Sequence, residues 1–377
     1  MNTMSHRERF LQVMEYGAPD RVPNWEAGVW GQTIDAWEAE GLDPLQLHWD
    51  WFTGEERFGM DPREFINVDY GMKPGFDYEL LREDERYIIA RNSKGIVTRA
   101  LKEGTVRGTR ASMDEYMDFP VKEPKDFTEM KKRYTARLGS RYPAQWKELM
   151  LPRWKNRDHV LVLGRNTATA GFYWTAREWM GTENLSYAWY DFPAMVSEMM
   201  EFIADFLIEV SRPVLAETEV DYVMIAEDMA MKSGPLLGPD TYRNFIYPHM
   251  RRLVDFFKSQ GVRYVMVDTD GNPEPLIPLL LDAGVDMIWP IERATEMMDP
   301  IALRRKYGRT LRLFGAVDKR ELAKDFKAID AHLLSLAPLI EEGGFIPTVD
   351  HTVPPDVSLA NFSYYMKRKG DLLAGRF

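Results

Sequence analysis

Cysteine is absent, and with it go disulfides, thiolate nucleophiles, iron–sulfur clusters and every thiolate zinc site. No stretch approaches the roughly eighteen consecutive apolar residues that a membrane span needs, so no membrane role is expected. The opening residues, MNTMSHRERFLQVME, are charged and carry no apolar signal region, which makes a cytoplasmic location the expectation. Positive charge is in deficit: 48 lysines and arginines face 59 acidic residues, a formal net charge of −11. That balance argues against nucleic acid as a partner and, more weakly, against substrates with many carboxylates, which the average field repels. Low-complexity tracts and internal repeats are also missing. No shift in composition marks a second domain, so residues 1–377 read as one.

What is present is the balance of an ordinary soluble globular protein, 45% apolar and 28% charged. The C-terminal half repeats strand and helix. Apolar runs at Asp221–Ala226, Val262–Val267, Val285–Ile291, Leu311–Val317 and Phe345–Val349 alternate with helical stretches near 240–260, 275–283, 300–307, 328–342 and from Leu359 onward. Most of these helices end at or near a glycine, as at Gly261, Gly284 and Gly308. Short apolar runs that do not alternate in polarity are what strands buried on both faces of a parallel sheet look like. His159–Leu163 adds another run, and Arg21–Asn24 and Ile66–Tyr70 are weaker ones, which brings the count to about eight. The spacing predicts an α/β fold, a (β/α)8 barrel, with an open doubly wound sheet as the alternative. Residues 27–155 are irregular and read as N-terminal insertions decorating the barrel.

In such folds the carboxyl ends of the strands carry the active site. The polar residues there are Glu227 and Asp228, Asp268 and Asp270, Glu292, Asp318, and Asp350 with His351. Asp268 and Asp270 are two apart, which on a strand places them on one face, and Gly271 lets the chain turn away at once. Two carboxylates that close call for a metal, an arginine or acid/base work. Asp268, Asp270 and His351 make a three-ligand set with one position left open. The blander reading has an aspartate capping the next helix and His351 satisfied within a loop.

Several segments together resemble the uroporphyrinogen decarboxylase superfamily, a (β/α)8 barrel family that includes cobalamin-dependent methyltransferases. They are Arg7-Glu-Arg-Phe10 with Pro19-Asp-Arg-Val-Pro23, Gly234-Pro-Leu-Leu-Gly-Pro239 with Tyr242, Asp268-Thr-Asp-Gly-Asn272, Gly284-Val-Asp286, and Asp350-His-Thr-Val-Pro-Pro355. Where the decarboxylases have Arg-Gln-Ala-Gly-Arg, this chain has Trp25-Glu-Ala-Gly-Val29. Both arginines are missing and Glu26 adds negative charge, which disfavours a polyanionic tetrapyrrole. The methyltransferases bind zinc through His-x-Cys-Gly-Asn and a distant cysteine. The resemblance lays that set on Asp268, Asp270 and His351, with oxygen and nitrogen replacing sulfur. It implies a divalent metal, zinc first, that polarises a leaving oxygen, with Glu227 or Glu292 as a fourth ligand or proton source. The implied reaction moves a methyl group from a small molecule, a methoxylated aromatic, to a separate corrinoid protein. No Asp-x-His-x-x-Gly cobalamin signature occurs here, so cobalamin comes from that partner. The alternative is a cofactor-free decarboxylase of the uroporphyrinogen decarboxylase type. A homodimer is common in the family, although no interface signature marks this sequence.

Eleven tryptophans, 17 tyrosines and 19 phenylalanines supply aromatic surface. Trp25, Trp30, Tyr70, Tyr173, Trp174 and Trp289 lie near predicted strand ends and are candidates for a flat, apolar substrate wall. His6 and His332 read as solvated helix residues, His249 as packed, and His48 stays open. Lys367–Lys369 read as charges complementing the end of a helix.

Overall fold

The computed structural model describes residues 4–43, 56–107, 109–110, 113–164, 170–295 and 297–377. Seven parallel strands pair in strict chain order: β1 (Arg63–Ile66), β2 (Val160–Leu163), β3 (Tyr222–Ala226), β4 (Tyr264–Asp268), β5 (Met287–Ile291), β6 (Arg312–Val317) and β7 (Phe345–Val349). Every residue of β2, β3, β4, β5 and β7 is buried. This is why their sequences run apolar without alternation.

The eighth position is filled without a regular strand. Residues 22–29, part of which read as a strand at Arg21–Asn24, run extended between the two sheet edges. The Asp61 N–H donates to the Asn24 carbonyl at 2.9 Å, Val353 N–H donates to Gly28 at 3.0 Å, and Val29 bridges Val353 in parallel. Pro23 and the prolines of the facing segment remove donors that a full ladder would need. The run expected at Ile66–Tyr70 ends at its first residue: the strand is Arg63–Ile66, and 67–70 leave the sheet. Together these elements make a curled α/β barrel of the (β/α)8 type.

Helices pack outside. The longest, Pro193–Leu215, starts with proline at its first position and buries Val196, Met199, Met200, Ile203, Leu207, Val210 and Val214, a stripe at three- and four-residue spacing. His6–Met14 starts with a capping box in which Ser5 and Glu8 bond each other's backbone amides. The irregular N-terminal region also contains a regular unit that its sequence hides. Glu79–Glu83, Tyr87–Arg91, Val97–Leu101 and Glu115–Asp118 form an antiparallel sheet. Its two edge strands are exposed throughout, so no buried face imposes an apolar pattern on them. Among the described residues no helix is long and apolar enough to cross a membrane.

Candidate active site at the carboxyl end of the barrel

The site is built upward from the barrel interior. Met224, Met266, Trp289, Phe314 and Thr348 line one small space there, together with Glu26 and Arg63. Strand side chains alternate, so the residue two beyond each of these continues the same inward face toward the mouth. Asp268 follows Met266 in this way and Asp350 follows Thr348. Trp289, the ladder partner of Asp268, forms the floor, its indole N–H 3.4 Å from Thr348 Oγ1.

Asp268 is 8% exposed, and its carboxyl makes no hydrogen bond or ion pair among the described residues. Burial, then the charges of Asp270 and Asp228, push it well above the usual carboxylate range. Asp270, past the end of β4, sits at the rim instead. Its Oδ2 is 3.6 Å from His351 Nε2, and the His351 ring stacks on Trp30 with centroids 6.1 Å apart. Burial alone would raise Asp270, but His351, then Lys319 and Arg177, hold it below its ordinary value. Burial alone would lower His351, and the Asp270 carboxylate overrides it, so the imidazole is held above its ordinary value.

Among the described residues two cations join the mouth, and neither stands out from the sequence. Lys319 Nζ lies 3.4 Å from Glu292 and 3.3 Å from Asp350. Glu292 also accepts from Gly271 N–H at 2.9 Å, and Asp350 from Arg293 N–H at 2.9 Å. Burial raises Asp350 despite Lys319. Arg177 donates to the Asp228 carboxylate and carbonyl and lies 5.4 Å from the Trp174 ring. The available signals were position alone: Lys319 directly follows a strand-end acid, and Arg177 follows Trp174 by three residues on one helix face.

Glu227 is fully buried and already occupied. Its two oxygens accept from Phe172 N–H at 3.0 Å and Tyr173 N–H at 2.7 Å, the first amides of helix Phe172–Met180. Burial raises it to about 7, against the pull of those amides. Its role here is to anchor the helix that carries Tyr173, Trp174 and Arg177. Asp318 likewise caps helix Lys319–Leu322, and its N–H donates to His332 Nε2 at 2.9 Å. His332 is therefore a bonded acceptor held below its usual value, chiefly by burial, and not the solvated residue its charged neighbours indicated.

The aromatic candidates divide. Trp30 stacks on His351 at the rim, Trp174 lies beside Arg177, Tyr173 is buried at 1% exposure, and Trp289 is the ladder partner of Asp268. Trp25 does not line the mouth: the ring is 1% exposed, wedged between Phe10 and Phe314 below the floor. Tyr70 does not either. Its strand ends four residues early, so its hydroxyl meets Ser211 Oγ at 2.8 Å, beside a lateral cavity of about 720 Å³. Glu26 adds no charge to the mouth, because it accepts from Val349 N–H, Tyr365 Oη and the buried Lys369 ammonium. Lys369 is thus an internal counter-charge, not a solvated helix end. His6 pairs with Asp61 at 2.9 Å, and His249 is half-buried. His48 lies outside the described residues.

The expected metal trio does not gather: among the described residues no three acidic or imidazole side chains stand close enough to hold an ion. Asp268 faces inward from the strand while Asp270 and His351 pair at the rim. Among the described residues the donor set falls short of the three ligands a metal site needs.

The barrel is of the (β/α)8 class, in which the carboxyl ends of the strands, where these carboxylates and cations gather among the described residues, are the place to look for a site. The chain is a member of the uroporphyrinogen decarboxylase (URO-D) family, which it matches over residues 117–369. In fold it is similar to a methyltransferase from Methanosarcina mazei, at 14% identity and a TM-score of 0.58, with 98% of this chain and 99% of that one covered. A B12-independent methionine synthase from a Shewanella species is more distant, at 11% identity and a TM-score of 0.41 over 94% and 97% of the two chains. No curated protein matches.

Proposed function

We propose that this protein is a methyltransferase that takes a methyl group from a small molecule bound in the barrel mouth and gives it to a separate corrinoid protein. The observation that carries this reading is the mouth itself: an inward carboxyl at Asp268 over the Trp289 floor, with the Asp270–His351 pair and Trp30 on the rim. A reduced corrinoid, held by the partner, would supply the nucleophile. The chain's own part is to seat the methylated molecule against aromatic faces, exclude water and meet the charge on the departing atom. An aryl methyl ether fits the aromatic wall, and its departing phenolate would need a donor, for which the His351 imidazolium at the rim is placed.

Tetrapyrrole decarboxylation has less support. Trp25 and Val29 stand where that branch has arginines, and both are buried, so this segment brings no cation to a polycarboxylate.

The test is methyl transfer to cob(I)alamin, followed by its absorbance, across methoxylated aromatics and N-methylated compounds. Transfer that falls at least about a hundredfold in His351→Ala with an aryl ether supports the reading. Carbon dioxide release from a small acid, with no methyl transfer from any donor, overturns it. Metal analysis belongs alongside. One equivalent in the wild type, lost in Asp270→Ala and His351→Ala, would show that the mouth closes around an ion and would overturn the metal-free assignment of roles.

A further inference from the structure

Pairing off the charges of the mouth leaves a remainder. Asp228 takes Arg177, Asp270 takes His351, and Glu292 and Asp350 share Lys319. Among the described residues Asp268 takes none, although it is more than nine-tenths buried. Left without a cation, a carboxyl in that position is driven to keep its proton; a ligand that brings positive charge favours the carboxylate instead. The chain's net charge of −11 draws cations toward it as well.

The surroundings say which kind of cation. A small metal ion needs three or more converging ligands, and among the described residues no three acidic or imidazole side chains gather to hold one. A primary ammonium needs an acceptor for each of its three hydrogens, whereas Asp268 is the one carboxylate of the described mouth that no cation meets. A quaternary ammonium needs neither. Its charge is spread over methyl groups, and it is recognised by aromatic faces with an anion nearby. Three elements carry aromatic rings beside the charged groups of the mouth. Trp289 is the ladder neighbour of Asp268; Trp30 stacks on His351; Tyr173 and Trp174 open the helix whose Arg177 neutralises Asp228.

We propose that the barrel mouth binds a quaternary methylammonium, with Asp268 as its counter-ion and Trp289, Trp30 and Trp174 as its walls. Resting on the methyltransferase reading, that cation is also the methyl donor. The carbon–nitrogen bond breaks and its electron pair stays on nitrogen, which leaves as a neutral tertiary amine. The methyl group goes to a cobalt(I) corrinoid, whose two electrons form the new bond to carbon, so that cobalt ends as cobalt(III). No proton moves. The leaving group is uncharged, so no electrophile is needed to stabilise it, in contrast to a departing phenolate.

Calorimetric titration of the full chain tests this with choline, tetramethylammonium and 3,3-dimethyl-1-butanol, the uncharged isostere of choline. Choline is expected to bind at least about tenfold more tightly than the isostere. Asp268→Asn should erase that margin without weakening the isostere, and Trp30→Ala should weaken choline with Asp268 intact. Equal affinity for choline and isostere in the wild type, a margin that survives Asp268→Asn, or no binding of either ammonium overturns the proposal. The wild-type comparison holds even if a variant misfolds. Transfer to cob(I)alamin is read separately. Choline that binds while neither it nor any other donor yields a methyl group keeps the cation site and rejects the methyltransferase reading. Demethylation of a methoxybenzoate without ammonium binding does the reverse.

Discussion

The Asp270–His351 pair makes a pH signature that can be worked out from its two partners. His351 is held above the ordinary value of 6.5, so its share of the stabilisation is complete below that pH and is lost as pH rises through the raised value. Asp270 is held below 3.8, so its share is complete above that pH and is lost as pH falls through the lowered value. The plateau runs from about pH 4 to about pH 6.5. Because Asp270 is 42% exposed, water screens the pair, and it is worth about 1 kcal/mol or less. Thermal melts of the wild type and His351→Ala should therefore differ most across that plateau and converge toward pH 9. A difference that grows with pH above 7 would show that His351 is neutral in the folded protein and that the ion pair is misassigned.

At the scale of the element, the mouth depends on how helix Phe172–Met180 is docked. Glu227 receives its first two amides, and Gly171 makes room for that carboxylate: a Cβ there would stand 2.3 Å from Glu227 Oε1. Gly171→Ala should thus push Glu227 off the amides and destabilise the protein by about 1–3 kcal/mol in urea unfolding, the penalty for leaving buried donors unmet. An unchanged midpoint would mean that the cap is dispensable. Titration gives a second handle. Glu227 rises from 4.5 unfolded to about 7 folded, so the native state binds the extra proton and stability falls as pH climbs between those values, by at most about 3 kcal/mol. Glu227→Gln should remove that slope. Sequence located Glu227 correctly at a strand end but had no means of telling a carboxylate aimed at backbone amides from one aimed at substrate. The two differ only in where the next helix starts, and that helix begins 55 residues earlier in the chain than Glu227. The same limit hid Lys319 and Arg177, whose partners come from other strands. The strands themselves were legible because burial on both faces writes an unbroken apolar run. An apolar residue does not by itself mark a strand, however: Val68 and Tyr70 are buried outside the sheet, and the exposed edge strands of the antiparallel sheet carry no apolar run.

Across the whole molecule, the barrel is closed by charge as well as by packing. The C-terminal helix Leu359–Leu373 sends Lys369, fully buried, to the Glu26 carboxylate and to the Trp25 carbonyl at 2.7 Å, while Tyr365 Oη donates to the same carboxylate at 2.5 Å. Glu26 in turn accepts from Val349 N–H at 2.7 Å, at the end of the last strand and directly before Asp350 and His351. First segment, last strand and last helix are thus tied at one oxygen pair beneath the mouth. Nothing in Lys367–Lys369 as a sequence separates this internal lysine from its two more exposed neighbours, since a helix exposes one face and buries the other at the same composition. Removing one partner is far worse than removing both, because an unpaired buried charge keeps its desolvation cost without its compensation. Lys369→Met should cost about 3–5 kcal/mol in urea unfolding. The double variant Glu26→Gln with Lys369→Met should recover most of that loss, because the neutral amide oxygen can still accept from Val349 N–H. The single variant should also weaken choline binding, since the slack reaches His351 through Val349. If Lys369→Met unfolds within about 1 kcal/mol of the wild type, Glu26 is held by Tyr365 and Val349 alone, and closure of the barrel owes nothing to this charge pair.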